Sequence, residues 1–449
     1  VTVIDTAPDE DLHDPATFRR LLLNTLMTGV TSSFLWFALT FWVYLETRSV
    51  VATGVIGGSF SLSSAVIGPA FGTYVDRHTK RSALIATTAV STVCFTIATV
   101  VFVAVDADDL LRLTSPWFWI LVLVTLFGSV TGQMRGIVLA TLVTLLVPAA
   151  DRDRANGMVG TVTGVAFAIT SVFSGLVIST LGMGWALYGA LAITVAALAH
   201  VMTIHFAEPA VAAGAGDTGG IVDVRGAIEA IRSVPGLAML IALAAFNNLL
   251  GGVFMALLDA YGLELVSVQT WGLLWGGISL AFIAGGFAVA RFGLGPNPVR
   301  MVMIGNMANW VVCSLFAIRS SIVLLTIGML VWLFLIPVIE AAEQTVLQRR
   351  IPYERQGRVF GFATLIENAA SPMTAFLIAP LAEAIFMPQM TDGRAADAIG
   401  GWFGTGPDRG IALLFTVAGL TGILVTLVAW TSRSYRRLTR SDAPTPVAA

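Results

Sequence analysis

Four ionisable side chains stand inside long apolar runs of this 449-residue chain: Arg135, Glu340, Glu343 and Glu367. A charge in hydrocarbon costs about 2.5–3.5 kcal/mol on insertion scales, so such residues face a cavity or a partner. Glu340 and Glu343 are three apart and share a helical face, with Gln344 beside Glu340. Carboxylates so placed can carry a proton, and a guanidinium can hold an anion. Arg135, near the middle of its run, reads either as a substrate or coupling charge or as half of a structural pair with Glu340 or Glu343. The two glutamates read either as coupling groups or as partners of Arg349, Arg350 or Arg358, and Glu367 either as a proton site or as a mouth-side partner. Asn247 and Asn248 precede Gly251 and Gly252 in another apolar run, where amides bind substrate or join helices. Trp36, Phe37, Phe41 and Trp42 line an apolar pocket or face lipid, and Asp259 and Glu264 are expected in solvent.

No nucleophile elbow, phosphate loop or His/Cys metal constellation is present, so neither an enzyme, a metal nor a cofactor is expected. Cys94 and Cys313 lie in apolar runs and read as small core residues. His200 and His205 read as surface residues.

The elements that must position these groups are membrane helices. The chain is 56% hydrophobic and only 12% charged, with a mean hydropathy of +0.85; soluble domains are about a quarter charged. Twelve apolar runs stand at 20–45, 51–71, 82–105, 117–147, 157–181, 185–206, 237–262, 268–290, 300–318, 321–346, 359–386 and 409–431. They are too long and too continuously apolar for barrel strands. A net charge of −2 offers no field for nucleic acid. The opening residues, with Asp5, Asp9, Glu10, Asp11 and Asp14, read as a solvated tail rather than a signal peptide. With both termini in the cytoplasm, 19 basic residues fall in inner segments and five in outer ones, which sets the orientation by the positive-inside rule.

The runs divide six and six. The expected organisation is a tail at 1–19, a half at 20–207, a linker at 208–235, a second half at 236–431 and a tail at 432–449. Within the linker, Ile221, Val224, Ile228 and Ile231 share one face of a short helix expected to lie on the inner membrane surface. The loops after the fourth and tenth runs echo each other as P-x5-R-x2-G: Pro148, Arg154 and Gly157 against Pro352, Arg358 and Gly361. Parallel halves related by an axis along the membrane normal are a transporter architecture.

The loop between the second and third runs reads "GTYVDRHTKR". Gly72, Asp76, Arg77, Lys80 and Arg81 resemble the G-x-x-x-D-R-x-G-R-R signature of the major facilitator superfamily; the second glycine is Thr79 here. The resemblance implies an all-α membrane protein of twelve helices in two pseudo-twofold halves. It also implies a conformational latch in this loop, with Asp76 pairing with arginines and accepting from the next helix's amides. The loop 147–157, "QGRVFG" at 356–361 and the linker helix are similar to the macrolide-efflux and siderophore-exporter branch. That branch implies a proton-coupled exporter of amphipathic or lipophilic small molecules, monomeric in the cell membrane. A transporter of an anionic substrate such as a siderophore or acidic lipid, with Arg135 as counter-charge, and a non-transporting membrane sensor or scaffold are the alternatives. Gly128 stands about where the branch's arginine of the fourth span would be, and the fifth span has no proline in the stretch Thr170, Ser171, Ser174, Gly175.

Overall fold

The computed structural model describes residues 12–47, 50–209 and 222–440, and within them the chain is all α. Arg48, Ile221 and the acids at 5–11 lie outside the described residues. The long helices are α1 (Pro15–Thr47), α2 (Val50–Arg77), α3 (Lys80–Ala104), α4 (Pro116–Gln133, continuing as Arg135–Leu146), α5 (Arg152–Thr180) and α6 (Met183–Met202). After the linker come α7 (Leu237–Leu265), α8 (Val268–Phe292), α9 (Pro298–Leu315), α10 (Ile322–Arg350), α11 (Gln356–Leu381) and α12 (Pro407–Thr431). Among the described residues, nine of these are long and apolar enough to cross a membrane. The other three are α2, α9 and α11. All twelve correspond to the apolar runs in the sequence.

Local chemistry sets the helix ends. Asp14 caps α1 by accepting from the Ala16 and Thr17 amides at 3.1 and 3.0 Å. Hydrogen bonds from Thr17, side chain first and backbone second, hold its carboxyl below the usual carboxylate range. Thr79 caps α3 from an extended backbone, its hydroxyl accepting from Ser82 N, so this position needs no glycine. Pro148 and Pro352 open equivalent 3-10 turns, Ala149–Asp151 and Tyr353–Arg355, with nearly the same backbone angles.

Helix packing repeats at an offset of six. Helix α1 packs on α5 and α6, and α3 on α4 and α6; likewise α7 packs on α11 and α12, and α9 on α10 and α12. The main contacts between the halves, α2 with α11 and α5 with α8, obey the same offset. One apolar core runs from the first half into the part of the second that holds Val289, Leu347 and Phe360. A separate core around Phe254, Phe316, Trp332 and Phe415 fills the other end of the second half. The halves are therefore joined at the end where α2 meets the 72–81 loop, here called the motif end, and part toward the far end.

Three elements differ from the sequence expectation. The linker helix, Val224–Ser233, buries Ala227, Ala230 and Ile231 against the bundle, mainly on α11, while Val224 is exposed. The small alanines allow close approach, so this face wins over the more apolar one. The segment after α12 forms a helix, Arg433–Arg440, with Leu438 buried at the start of α7. Between α11 and α12, two short helices, Met387–Thr391 and Arg394–Phe403, cap the far end of the second half.

Candidate functional site

The site has two parts, a latch at the motif end and a cavity above it. In the latch, Asp76 is fully enclosed. It accepts from the N-terminal amides of α11, Gly357 N at 2.7 Å and Arg358 N at 3.0 Å, and from Arg358 Nε at 2.9 Å. This corrects the expectation that it binds the amides of α3, the next helix in the chain. Those amides, Lys80 N and Arg81 N, donate instead to Glu208 at 2.5 and 2.9 Å. A carboxylate at a helix N-terminus meets free N–H groups and the positive end of the dipole, and tertiary packing decides which helix each acid serves.

Arg358 serves two acids. Its Nη1 donates to Asp223 of the linker at 2.5 Å, and the Asp223 backbone N–H donates to Thr73 at 3.1 Å. First half, second half and linker thus meet on one guanidinium. The remaining basic residues of the loop also hold helix ends. Lys80 Nζ donates to the Val75 carbonyl at 2.7 Å, and Arg81 donates to the carbonyls of Ile204 and Met202 at the end of α6. Arg77 closes α2. The close approach of α2 to α11 depends on Gly72, where a Cβ would overlap the Gly357 carbonyl, and Gly361 packs against Gly68 and Gly72. Gly157 stands in the same relation to α8, against the backbone of Val289 and Ala290.

A second seal joins the ends of α5 and α10. Asn156 and Gln348, both buried, exchange hydrogen bonds at 2.8 and 3.1 Å. Asn156 also donates to Thr345, and Gln348 to the Ala140 carbonyl. Buried Arg152 donates to the Thr144 carbonyl at 3.0 Å.

Above this seal lies a cavity of two lobes. The larger, about 270 Å³, lies between the halves, with Gly136 and Ala140 of α4, Asn156 and Gly160 of α5, Glu340, Glu343 and Gln344 of α10, and Glu367 of α11. The smaller, about 150 Å³, belongs to the second half and includes Asn247, Asn248, Asn306, Asn309, Trp310, Glu340 and Glu343. Pro337 lines the larger lobe one turn before Glu340, inside α10, where it removes a backbone hydrogen bond. The lobes share Glu340 and Glu343, and Glu367 joins them from α11. None of the three forms a salt bridge among the described residues; Arg358 is held in the latch and Arg350 donates to the Leu438 carbonyl.

Arg135 does not join this cavity. It is 1% exposed and points into the first half, donating to Thr88 of α3 and, at 2.5 Å, to Asn24 of α1. Asn24 in turn donates to the Ala197 carbonyl and meets His200 Nδ1. The expected pair with Glu340 or Glu343 is therefore absent among the described residues. Its sequence neighbour Gly136 lines the larger lobe, so the helical rotation of about 100° per residue turns Arg135 away. His200 is a network partner rather than an isolated surface residue.

Other sequence candidates fall outside the two lobes. Trp36 stacks on Phe60 of α2 at 4.9 Å. Asp259 is exposed and accepts from the indoles of Trp271 and Trp275. Cys94 and Cys313 are buried thiols, and Gly128 packs against Cys94 and Phe95. Arg154 pairs with Asp151 at the surface, unlike its counterpart Arg358. Sequence reasoning missed Asn306, Asn309, Asn156, Gln348, Glu208 and Asp223. The signal for the first four was uncharged polarity inside or beside apolar runs; nothing in the chain pattern marked the two linker acids. Arg409 was also missed: it is 2% exposed, with its guanidinium on Tyr261, Ser320 and the carbonyls of Phe403 and Ala317.

The fold is shared with solved transporters. A bacterial homologue of the iron transporter ferroportin in its outward-facing state aligns with a TM-score of 0.66 at 15% identity, over 93% of this chain and 100% of that one. The human organic anion transporter MFSD10 (TETRAN) gives 0.63 at 15% identity, over 92% and 100%. The proton:xylose symporter XylE gives 0.63 at 13% identity, over 92% and 95%. No curated protein matches the chain by sequence. The family model of the Major Facilitator Superfamily matches residues 21–375. With twelve helices in two pseudo-equivalent halves and a cavity between them, the chain belongs to the major facilitator superfamily and is a multi-pass membrane transporter.

Proposed function

We propose that this chain is a proton-coupled exporter of cationic amphipathic small molecules, working by alternating access. The observation that carries the reading is the set Glu340, Glu343 and Glu367 around one inter-half cavity, with no basic partner among the described residues. Like charges around a small cavity repel one another. Either protons or a bound cation relieves that repulsion, and competition of the two for the same carboxylates is antiport. The apolar wall, Trp310, Trp332, Ile336 and Ile339, accommodates the lipophilic part of such a molecule.

The motif end is read as cytoplasmic from the 19-to-5 distribution of basic residues, in a cell membrane with both termini inside. Among the described residues the inter-half hydrogen bonds lie at that end, which supports a conformation closed inside and open outside. Moving a two-state equilibrium from 1:99 to 99:1 takes about 5.5 kcal/mol. Charge-assisted hydrogen bonds contribute about 1.5–3 kcal/mol each, so the few on Asp76 and Arg358 are of the right size to set the balance.

An anionic substrate with Arg135 as counter-charge is the weaker reading, because that guanidinium is enclosed by Thr88 and Asn24 outside the cavity. The structural neighbours are described as an organic anion transporter, a bacterial homologue of an iron transporter and a proton:xylose symporter, so the fold alone selects no substrate. The test is tetraphenylphosphonium transport into proteoliposomes driven by an imposed pH gradient. Uptake is expected in the wild type and should vanish in Glu340→Gln/Glu343→Gln/Glu367→Gln. Undiminished uptake by the triple variant removes the carboxylates from the mechanism.

A further inference from the structure

The smaller lobe is built by a chain of amides whose orientation is fixed from one end. The Trp310 indole, a donor only, donates to Asn247 Oδ1 at 3.0 Å. Asn247 must then present its Nδ2, which donates to Asn306 Oδ1 at 2.8 Å. Asn306 is left presenting its Nδ2 as a donor, and that atom has no protein partner. One helical turn on, Asn309 Oδ1 is an acceptor without a protein partner. Both residues line the lobe, and both are more than nine-tenths buried, at 2% and 6% exposure. A donor and an acceptor thus stand one turn apart on α9, in the same lobe as Glu340 and Glu343. Buried amide groups left unpaired are costly, so a group that satisfies both gains more than one that satisfies neither.

We propose that this lobe is a subsite for a hydroxyl group neighbouring a cationic nitrogen, as in a β-hydroxyamine. The nitrogen sits against Glu340 and Glu343, while the hydroxyl accepts from Asn306 Nδ2 and donates to Asn309 Oδ1. The lobe's volume of about 150 Å³ limits the separation of the two groups; at about 30 Å³ per water-sized group it holds only a handful of atoms. A simple lipophilic cation enters the larger lobe and leaves these amides unmatched. This inference rests on the reading of the carboxylates as the cation site and adds a specificity element to it.

The test is calorimetric titration of the purified full chain with three matched probes: propranolol, which carries a β-hydroxyl, its O-methyl ether and its deoxy analogue. Each hydrogen bond is expected to contribute about fivefold in affinity, so the order is hydroxyl, then ether, then deoxy. The ether can accept but not donate. Asn309→Ala should therefore equalise hydroxyl and ether, and Asn306→Ala should equalise ether and deoxy. Equal binding of all three to the wild type overturns the subsite while leaving the cation site standing. Failure of all three amines to bind overturns the cation site and the subsite with it. The wild-type series decides the matter even where a variant does not fold.

Discussion

The two contacts that close the motif end, α2 with α11 and α5 with α8, are equivalent by the six-helix offset but differ in what holds them. In both, a glycine permits backbone approach: Gly72 under Gly357 in one, Gly157 under Ala290 in the other. Among the described residues only the first carries a buried ion pair across it. Asp76 and Arg358 have side chains 0% and 13% exposed, whereas Arg154, the counterpart of Arg358, pairs within its own half with Asp151, both about half exposed. Between α5 and the end of α8 the polar contact is Asp153 accepting from Leu294 N at 2.8 Å, beside the Asn156–Gln348 seal of α5 with α10. Close packing has been kept in both halves, while charge has been concentrated in one. A transporter that rocks needs both contacts to close, but a charged network at one is enough to bias the balance.

This contrast can be broken at its strongest point first. Neutralising both acids, Asp76→Asn with Asp223→Asn, leaves Arg358 buried alone and should destabilise the closed motif end by about 3–5 kcal/mol. Asp76→Asn alone should do less, because Asp223 remains, yet still cripple transport without unfolding the protein. Spin labels across α2 and α11 should show a longer distance in both variants. An unchanged distance distribution in the double variant would mean that the ion pairs do not hold this state.

Next in size is Gly157→Leu at the contact that carries no ion pair across it among the described residues. Its side chain meets backbone atoms, which cannot rotate away, so overpacking should cost about 3 kcal/mol. Labels across α5 and α8 should report opening, and labels on either side of α2 should show whether the two contacts open together. Independent opening of one contact would contradict rigid rocking of the halves.

Smaller effects sharpen the difference. Asp153→Ala removes a charge-assisted bond to Leu294 N and one to Arg154 N, and should cost about 1.5–3 kcal/mol in thermal stability. Arg154→Ala removes only an exposed pair and should cost about 0–1 kcal/mol. Arg358→Ala, at the equivalent sequence position, should cost several times more. Equal losses at Arg154 and Arg358 in a melting experiment would erase the asymmetry.

Much of the site was legible because membrane helices write their burial in hydropathy. Glu340 and Glu343 stood out as charges in an apolar run, and their three-residue spacing put them on one face, where the structure has them lining both lobes. Arg135 stood out for the same reason, but the direction in which it points was not legible. One residue along a helix turns a side chain by about 100°, and whether Arg135 or Gly136 meets the cavity depends on how α4 rolls against α1 and α3. The amides of α9 were hidden because an asparagine in an apolar run has many bland uses. Asp223 and Glu208 were hidden because a linker acid looks solvated until the helix ends it serves are in place.

The sequence by itself determined the number and length of the helices, their division into six and six, and the repeated proline and glycine at the motif end. These follow from local properties, hydropathy over about 20 residues and backbone preference over a few. Tertiary structure alone decided the partners. Asp76 meets Arg358 across 282 positions, Asn156 meets Gln348 across 192, and Asn247 meets Asn306 across 59. No local pattern encodes such meetings, because a hydrogen bond of about 3 Å depends on the rotation and tilt of two helices that pack through many other side chains.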